Sequence, residues 1–245
     1  MYLFFGNRVR KSSAENKRLS FVLSISLIIS VMMSLFSVSV ASSGAGLNIV
    51  LMSLRRTAVN AAAEAGNQFK ADAGIYASVS SLTAWNNNEQ KVIGYQGSNR
   101  TPIVFNNSAA GSWKSVGLAA ADAGVTVNTA SAFQVKFKTT GYKNIRFSAN
   151  QKSTGSGPEA FALAYSIGSP TGPYVPISGS KRNVVRISDD TYTALASSYV
   201  EFKLPAEIEN QSEVYLRVYM VDSTLSNRSN GNTSINDIVI IGDEM

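Results

Sequence analysis

The sequence predicts an all-β domain, an antiparallel jelly-roll-like β-sandwich, preceded by an N-terminal signal or anchor helix and a short Ala-rich helix. From Ile75 onward, apolar and polar residues alternate with a period of two, which is typical of strands with one buried face. About nine such strands follow without helices between them, which favours antiparallel sheets. Glycine, proline and asparagine residues separate the strands, as turns require.

Residues 1–41 are predicted to be a signal peptide or a single membrane anchor. No charged residue occurs from Phe21 to Ala41, and a helix of this length spans about 31 Å, the thickness of the bilayer hydrocarbon. The preceding Arg and Lys residues favour a cytoplasmic N-terminus and export of the rest. Ser39 and Ala41 suit signal peptidase, so cleavage and a retained anchor both stay open. Either outcome makes the body secreted or membrane-anchored and extracellular, with membrane contact only through this segment.

Residues 42–74 are predicted to be a linker with a short helix. Asn48 is suited to cap a helix that ends near Ala65, before Gly66. Apolar side chains recur at helical spacing within it, at Leu47, Leu51, Leu54 and Ala58. We expect this helix to be a spacer or to lie against the domain.

The sandwich is predicted to occupy residues 75–242. Alternation is clearest in the segments 133–137, 145–147 and 200–204. Further strands are predicted at residues 75–85, 91–96, 161–167, 183–188, 214–221 and 235–241. A domain of this size can bury about 70% of the surface of its extended chain, so a folded core is expected.

Composition excludes several kinds of chemistry. The 245 residues include neither Cys nor His, which excludes a Ser-His-Asp triad, a cysteine nucleophile, a zinc site of the usual ligands and disulfides. The net charge is +6, but five cations and one acid lie in the first 20 residues, and the remaining 17 cations and 15 acids give the body +2. A nearly neutral body with only short basic runs, such as Arg55-Arg56 and Lys181-Arg182, argues against nucleic-acid binding. No phosphate-binding glycine motif of the Walker type is present either.

Six segments of the second half carry a resemblance to a known family. They are FQVKFKTTGYKNI, FSANQKSTGSGP, FALAYS, LPAEI, EVYLR and SINDIVI, which begin at residues 133, 147, 161, 204, 213 and 234. In this order and spacing they resemble a jelly-roll, galactose-binding-like β-sandwich module of bacterial secreted and surface multidomain proteins. The resemblance covers about residues 132–242. It implies an accessory or adhesive role and transfers no catalytic residues.

The sequence departs from the family's pattern at two positions. Asn86 stands where an Asp commonly follows the tryptophan, and Asn236 stands where the last strand often begins with an acidic pair. Both departures weaken a metal-binding role inferred from the resemblance.

The strand at residues 214–221 carries the main candidate ligand-binding residues. Alternation places Tyr215, Arg217 and Tyr219 on the face opposite the core, and Gln134 and Arg146 lie on polar faces of strands that could be neighbours. Aromatic rings stack on sugar rings, and guanidinium and amide groups bind hydroxyls, so we predict that this face contacts a glycan. Alternatively, the tyrosines pack beneath a loop and Arg217 pairs with a carboxylate. An open concave face favours recognition and a covered one favours scaffolding.

Both tryptophans lie in polar surroundings. Trp85 precedes three asparagines, and Trp113 lies between Ser112 and Lys114. Each is predicted either to offer a stacking platform for a sugar or to cap an open end of the sandwich.

Carboxylates supply the remaining candidate site. Asp237 with Asp122 or Asp222 could hold a structural calcium ion, which accepts carboxylate, amide and carbonyl oxygens. No other cofactor is expected. Because no pair of carboxylates lies in a setting that favours glycoside hydrolysis, no enzymatic activity is predicted.

The sequence therefore predicts an exported, non-catalytic β-sandwich module whose partner is a carbohydrate or another cell-surface polymer. A structural or adhesive surface domain without a small ligand, and an accessory N-terminal part of an extracellular hydrolase, remain alternatives.

Overall fold

Two β-sheets packed face to face make up the body of the chain. The computed structural model describes residues 46–52, 68–86, 89–91, 94–95, 103–105, 114–116, 124–187, 196–221 and 231–245, within one unit that spans residues 45–245. The strands of these segments are β1 (Leu47–Met52), β2 (Phe69–Lys70), β3 (Ser81–Asn86), β4 (Glu89–Lys91), β5 (Gly94–Tyr95), β6 (Ile103–Phe105), β7 (Ala132–Phe137), β8 (Tyr142–Thr154), β9 (Ala160–Ile167), β10 (Val175–Pro176), β11 (Arg182–Asn183), β12 (Val185–Ile187), β13 (Ala196–Lys203), β14 (Val214–Met220) and β15 (Thr233–Glu244).

The first sheet is built around the two long strands β8 and β15, which pair in an antiparallel register from Thr233 opposite Ser153 to Glu244 opposite Tyr142. The other edge of β8 pairs with β13, and with β12 in the one parallel pairing of the described strands. The other edge of β15 pairs with β1 and β6, and β5 extends the sheet beyond β6.

The second sheet has the strand order β10-β9-β14-β7-β3-β2, with β11 also on β9 and β4 also on β3. Its pairings are all antiparallel. Helical structure in the described residues consists of two single 3-10 turns, Ala77–Val79 and Ala206–Ile208.

The predicted all-β sandwich is confirmed. The three segments with the clearest alternation correspond to β7, β8 and β13, and the further strands predicted at residues 161–167, 214–221 and 235–241 correspond to β9, β14 and β15. The expected strand over residues 75–85 is split into a 3-10 turn and β3. Strands β1, β2, β6 and β10 were not predicted from the sequence.

The expected start of the Ala-rich helix is wrong. Residues 47–52 form β1, with Leu47 opposite Gly242 and Met52 opposite Ile238. Ile49 and Val50 are β-branched and fully buried, so packing on β15 overrides a helical spacing that is only a local preference. β1 and β2 therefore belong to the sheets, although the sequence assigned residues 42–74 to a linker. The rest of this helix, residues 53–65, lies outside the described residues.

The leader predicted at residues 1–41 also lies outside the described residues. Within the residues that the structure describes, no helix is long and apolar enough to cross a membrane.

The main core lies between the two sheets. Every second side chain of each long strand points into it. Phe133, Val135 and Phe137 of β7 face Phe147 and its neighbours of the first sheet. These side chains are at most 1% exposed, so each contributes about 2–3 kcal/mol of apolar burial.

A second, smaller apolar cluster lies on the outer side of the second sheet. It contains Ala130, Ala132, Ala162, Ala164, Tyr174, Tyr215 and Tyr219, with four valines packed against it. Most antiparallel sheets bury one face and leave the other to solvent. Here loops cover part of the outer face, and this face carries the candidate site.

A close approach of two turns closes one end of the sandwich. The turn after β8 meets the segment before β15, where Thr154 N donates to Asn232 O at 3.0 Å. A Cβ atom on Gly231 would collide with main-chain atoms of Ser156 and Gly157. Only glycine fits here, because main-chain atoms cannot move aside as the end of a flexible side chain could.

Candidate functional site

We define the polar-aromatic face as the outer surface of the second sheet formed by Thr83, Trp85, Gln134, Tyr215, Arg217 and Tyr219. The strand register sets its rows. Arg217 on β14 lies opposite Gln134 on β7, which lies opposite Thr83 on β3. Tyr219 and Trp85 flank Ala132 in the next row. Successive side chains of a strand point to opposite faces of the sheet. Because Leu216 and Val218 point into the core, Tyr215, Arg217 and Tyr219 point to the outer face.

Arg217 occupies the centre of this face and is fully buried. Its Nε donates to Gln134 Oε1 at 2.9 Å. Nη1 donates to the carbonyl oxygens of Val127 and Asn128, and Nη2 donates to Pro170 O at 3.2 Å. One guanidinium therefore joins the sheet to two covering loops, residues 124–131 and 168–174.

Two aromatic rings also contact the same guanidinium. Its carbon lies 3.9 Å from the ring centroid of Tyr174 and 5.1 Å from that of Trp85. Cation-π contacts of this kind strengthen when the cation is removed from water. Trp85 itself is anchored, because its Nε1 donates to Thr83 Oγ1 at 2.9 Å.

The two covering loops are also joined to each other. Tyr174 N donates to Asn128 Oδ1 at 2.8 Å, and the Tyr174 hydroxyl lies 2.6 Å from Gln134 Oε1. Burial raises the pKa of Tyr174 well above its usual value and lowers that of Arg217, because each charged form is poorly solvated there. Among the described residues, Arg217 contacts an amide oxygen, three carbonyl oxygens and two aromatic rings, so neutral dipoles and ring faces hold its charge.

The lower edge of the face, at the β14 residues before Arg217, is more open. Lys136 Nζ lies 2.5 Å from Glu213 Oε1, and these side chains are 37% and 32% exposed. Lys136 also lies over the Tyr215 ring, 5.7 Å from its centroid. The hydrogen bond between the ion pair lowers the pKa of Glu213 and raises that of Lys136. Tyr215 is 6% exposed, so its covering side chains would have to move for a ligand to stack on it.

The structure brings most of the predicted ligand-binding residues together. Gln134, Tyr215, Arg217, Tyr219 and Trp85 share the polar-aromatic face. This face is covered around Arg217, as the alternative interpretation expected, but the partners of Arg217 are an amide and carbonyl oxygens and not the carboxylate of that interpretation. That these residues contact a glycan stays a prediction. Trp113 lies outside the described residues.

Arg146 is separated from that face, because it lies on β8 of the first sheet. There its Nη2 lies 3.2 Å from Asp243 Oδ1, and its Nε lies 3.7 Å from Glu201 Oε2. It alternates with Ile145 and Phe147, which enter the core, so it belongs to the outer face of the first sheet. Arg146 and Arg217 lie on different sheets. The prediction that both belong to one glycan-binding surface is therefore wrong.

The predicted calcium residues are only partly described. Asp237 lies at an irregularity of β15 with a φ of +47°, and its Oδ2 accepts from Asn150 Nδ2 at 2.9 Å. Asp122 and Asp222 lie outside the described residues. Among the described ones, no group of three or more acidic, His or Cys side chains could hold a metal ion. The calcium site stays a prediction.

Sequence reasoning missed Tyr174 and the two loop segments that cover Arg217. Tyr174 follows a Gly172-Pro173 turn and carries no periodic signal. Val127, Asn128 and Pro170 act through main-chain carbonyls, which every residue type has, so no sequence signal could have identified them. Lys136 and Glu213 lie side by side because β7 and β14 are neighbours, which strand order alone reveals.

No protein-family model and no curated protein matches the chain. The solved structures that are similar to the chain include the following two. One is the N-terminal endo-1,4-β-D-xylanase 10B of Clostridium thermocellum, CBM22-1 and GH10 modules with xylohexaose, at 14% identity and a TM-score of 0.38 over 80% of this chain. The chain spans 28% of that structure's length. The other is the N-terminal cellulose-binding domain of Cellulomonas fimi β-1,4-glucanase C, at 6% identity and a TM-score of 0.32, covering 67% of this chain and 90% of that one.

Proposed function

We propose that the chain is an exported, non-catalytic β-sandwich module that binds a polysaccharide or related cell-surface polymer on the polar-aromatic face. The observation that carries the proposal is the gathering of Trp85, Tyr215, Tyr219, Arg217 and Gln134 on a sheet surface turned away from the core. Aromatic rings with adjacent amide and guanidinium groups provide the chemistry that sugar recognition needs.

The edge formed by Lys136, Glu213 and Tyr215 is where a polymer would first make contact. Its ion pair is about one-third exposed at each side chain, in contrast to the fully buried Arg217. Carboxylate and ammonium groups bind hydroxyls through charge-assisted hydrogen bonds. Arg217 then serves as the support beneath this edge.

Titration of the purified chain with soluble polysaccharides tests the proposal. We expect xylan, a soluble β-glucan or solubilised peptidoglycan to bind, and Tyr215→Ala and Glu213→Gln each to weaken that binding about tenfold. Lys143→Ala is the matched control, because Lys143 is exposed on the first sheet. Equal affinity in all four proteins would remove the polar-aromatic face from the proposal.

A structural or adhesive domain without a small ligand is the second candidate. The burial of Arg217 beneath the loops favours it, since a permanently covered face cannot stack on a sugar. The same titration separates the two functions. If no tested polymer binds the wild-type chain while it assembles with the cell surface in a pull-down, the second candidate replaces the first.

Export and lack of catalysis have separate tests. Mass spectrometry of the mature N-terminus distinguishes cleavage after Ala41 from a retained anchor. Incubation of the chain with the polysaccharides that it binds is expected to release no reducing sugar.

A further inference from the structure

A group of polar side chains lies on the inner face of the first sheet, at the end of the main core. Gln151 and Ser153 follow Ala149 on the inward side of β8, and Thr233 lies opposite Ser153 on β15. Their exposed fractions are 0%, 1% and 0%. Alternation places Gln151 and Ser153 on the same side, with Cα atoms about 6.6 Å apart.

Three polar atoms of this group lack a hydrogen-bond partner among the residues that the structure describes. They are Gln151 Nε2, Gln151 Oε1 and Ser153 Oγ. Thr233 differs, because its Oγ1 donates to Lys152 O at 3.2 Å. A buried amide without partners costs about 1–3 kcal/mol, and buried polar groups in native proteins are almost always paired.

The chemistry of the three atoms determines what can pair with them. The amide presents a donor and an acceptor side by side, and the hydroxyl can do both. A cation would be attracted by Oε1 and repelled by the Nε2 hydrogens. Water both donates and accepts, and it occupies polar sites inside proteins when two or more partners are in reach.

The geometry points to a buried water site, and we propose that ordered water bridges Gln151 and Ser153 inside the sandwich. The turn that meets the segment before β15 closes this end. Gly157 packs against Ser153 Cβ and Asn232 O so closely that it has no room for a Cβ atom. Water held there exchanges slowly with bulk solvent, unlike water on the outer faces. The proposal is independent of polysaccharide binding.

Water-to-amide cross-relaxation in nitrogen-15-labelled full-length protein tests the site directly. We expect the Gln151 side-chain amide protons to show cross-peaks to water with the sign of a long-lived contact. Gln151→Leu identifies these peaks by removing them. Gln134 is the matched internal control, because it is also buried but its Oε1 accepts from Arg217. An absence of water cross-peaks from Gln151, or a shift of its signal on titration with sodium or calcium ions, overturns the proposal.

A double-mutant cycle tests whether the two side chains share the water. Gln151→Leu and Ser153→Ala should each lower the urea midpoint, because each removes one of the two side chains that bind the water. The double variant should lose less than the sum of the two, since it removes both partners together. Additive shifts, or a Gln151→Leu variant with a higher midpoint than wild type, count against shared water.

Discussion

Arg217 shows how one side chain can organise a whole surface. It donates to an amide on the neighbouring strand and to three carbonyl oxygens of two loops. Lysine could not replace it, because an ammonium group lacks the planar fork that reaches several acceptors at once. The residue that sequence reasoning assigned to ligand contact is therefore also the residue that positions the loops above it.

We expect Arg217→Met to lower the free energy of unfolding by about 3–5 kcal/mol, because it leaves buried carbonyls unpaired and removes the cation's contacts with two rings. Urea unfolding followed by circular dichroism measures the change. Lys143→Met, an exposed change on the first sheet, should stay within about 0.5 kcal/mol. If Arg217→Met costs as little as Lys143→Met, the covering loops do not depend on Arg217.

Tyr199 is a second buried polar residue with a defined partner. Its hydroxyl donates to Ser180 O at 3.0 Å, and the Arg182 guanidinium lies 5.6 Å from its ring centroid. Burial raises its pKa despite the opposing effect of Arg182. The phenol, at 2% exposure, is therefore held neutral in the folded chain.

The raised pKa values of Tyr174 and Tyr199 predict loss of stability in alkali. Each contribution is fully present below the unfolded pKa near 10 and is lost as pH rises above it. We expect the free energy of unfolding to fall by about 1.4 kcal/mol per pH unit for each tyrosine in that range. Urea unfolding at pH 9, 10 and 11 measures the slope. Tyr199→Phe should show a shallower slope than wild type, and an unchanged slope would argue that Tyr199 titrates normally.

At the scale of elements, β1 illustrates a limit of local patterns. Leucines at positions 47, 51 and 54 fit a helix, yet residues 47–52 pair with β15 across Ile238 to Gly242. The deciding contacts come from a strand about 190 residues away along the chain. Strands β7, β8 and β14 were predictable because apolar residues occupy every second position and enter the core.

Ile49→Ala tests β1 as part of the core. Ile49 is fully buried, whereas Leu47 on the same strand is 42% exposed. We expect Ile49→Ala to cost about 2–5 kcal/mol of unfolding free energy, as core truncations do. Leu47→Ala is expected to cost less than 1 kcal/mol. Equal costs in denaturant unfolding would show that β1 does not pack as described.

At the scale of the whole molecule, the sequence predicted the architecture but placed the start of the sandwich too late. Strand periodicity is a local property and can be read directly, whereas sheet order depends on distant pairings. The same limit applies to the site. Alternation placed Tyr215, Arg217 and Tyr219 on one face, but whether loops cover them depends on main-chain groups that carry no sequence signature. Arg146 was grouped with them because strand order was unknown.

A fragment that begins at residue 75 should therefore fail to fold. It lacks Ile49, Val50, Met52 and Phe69, each of which is fully buried. A fragment that begins at residue 45 retains them and should unfold in one cooperative transition. Near-ultraviolet circular dichroism and thermal scans compare the two. A native-like transition in the shorter fragment would limit the folding unit to the predicted boundary.

The pairing of β1 with β15 has a mechanical consequence. The strands run in opposite directions and Leu47 lies opposite Gly242, so the chain enters β1 and leaves β15 side by side, at the same end of the first sheet. A tensile load applied across these two points pulls at the outermost rung first and opens the pair rung by rung, as a zipper opens, instead of shearing all of its hydrogen bonds at once.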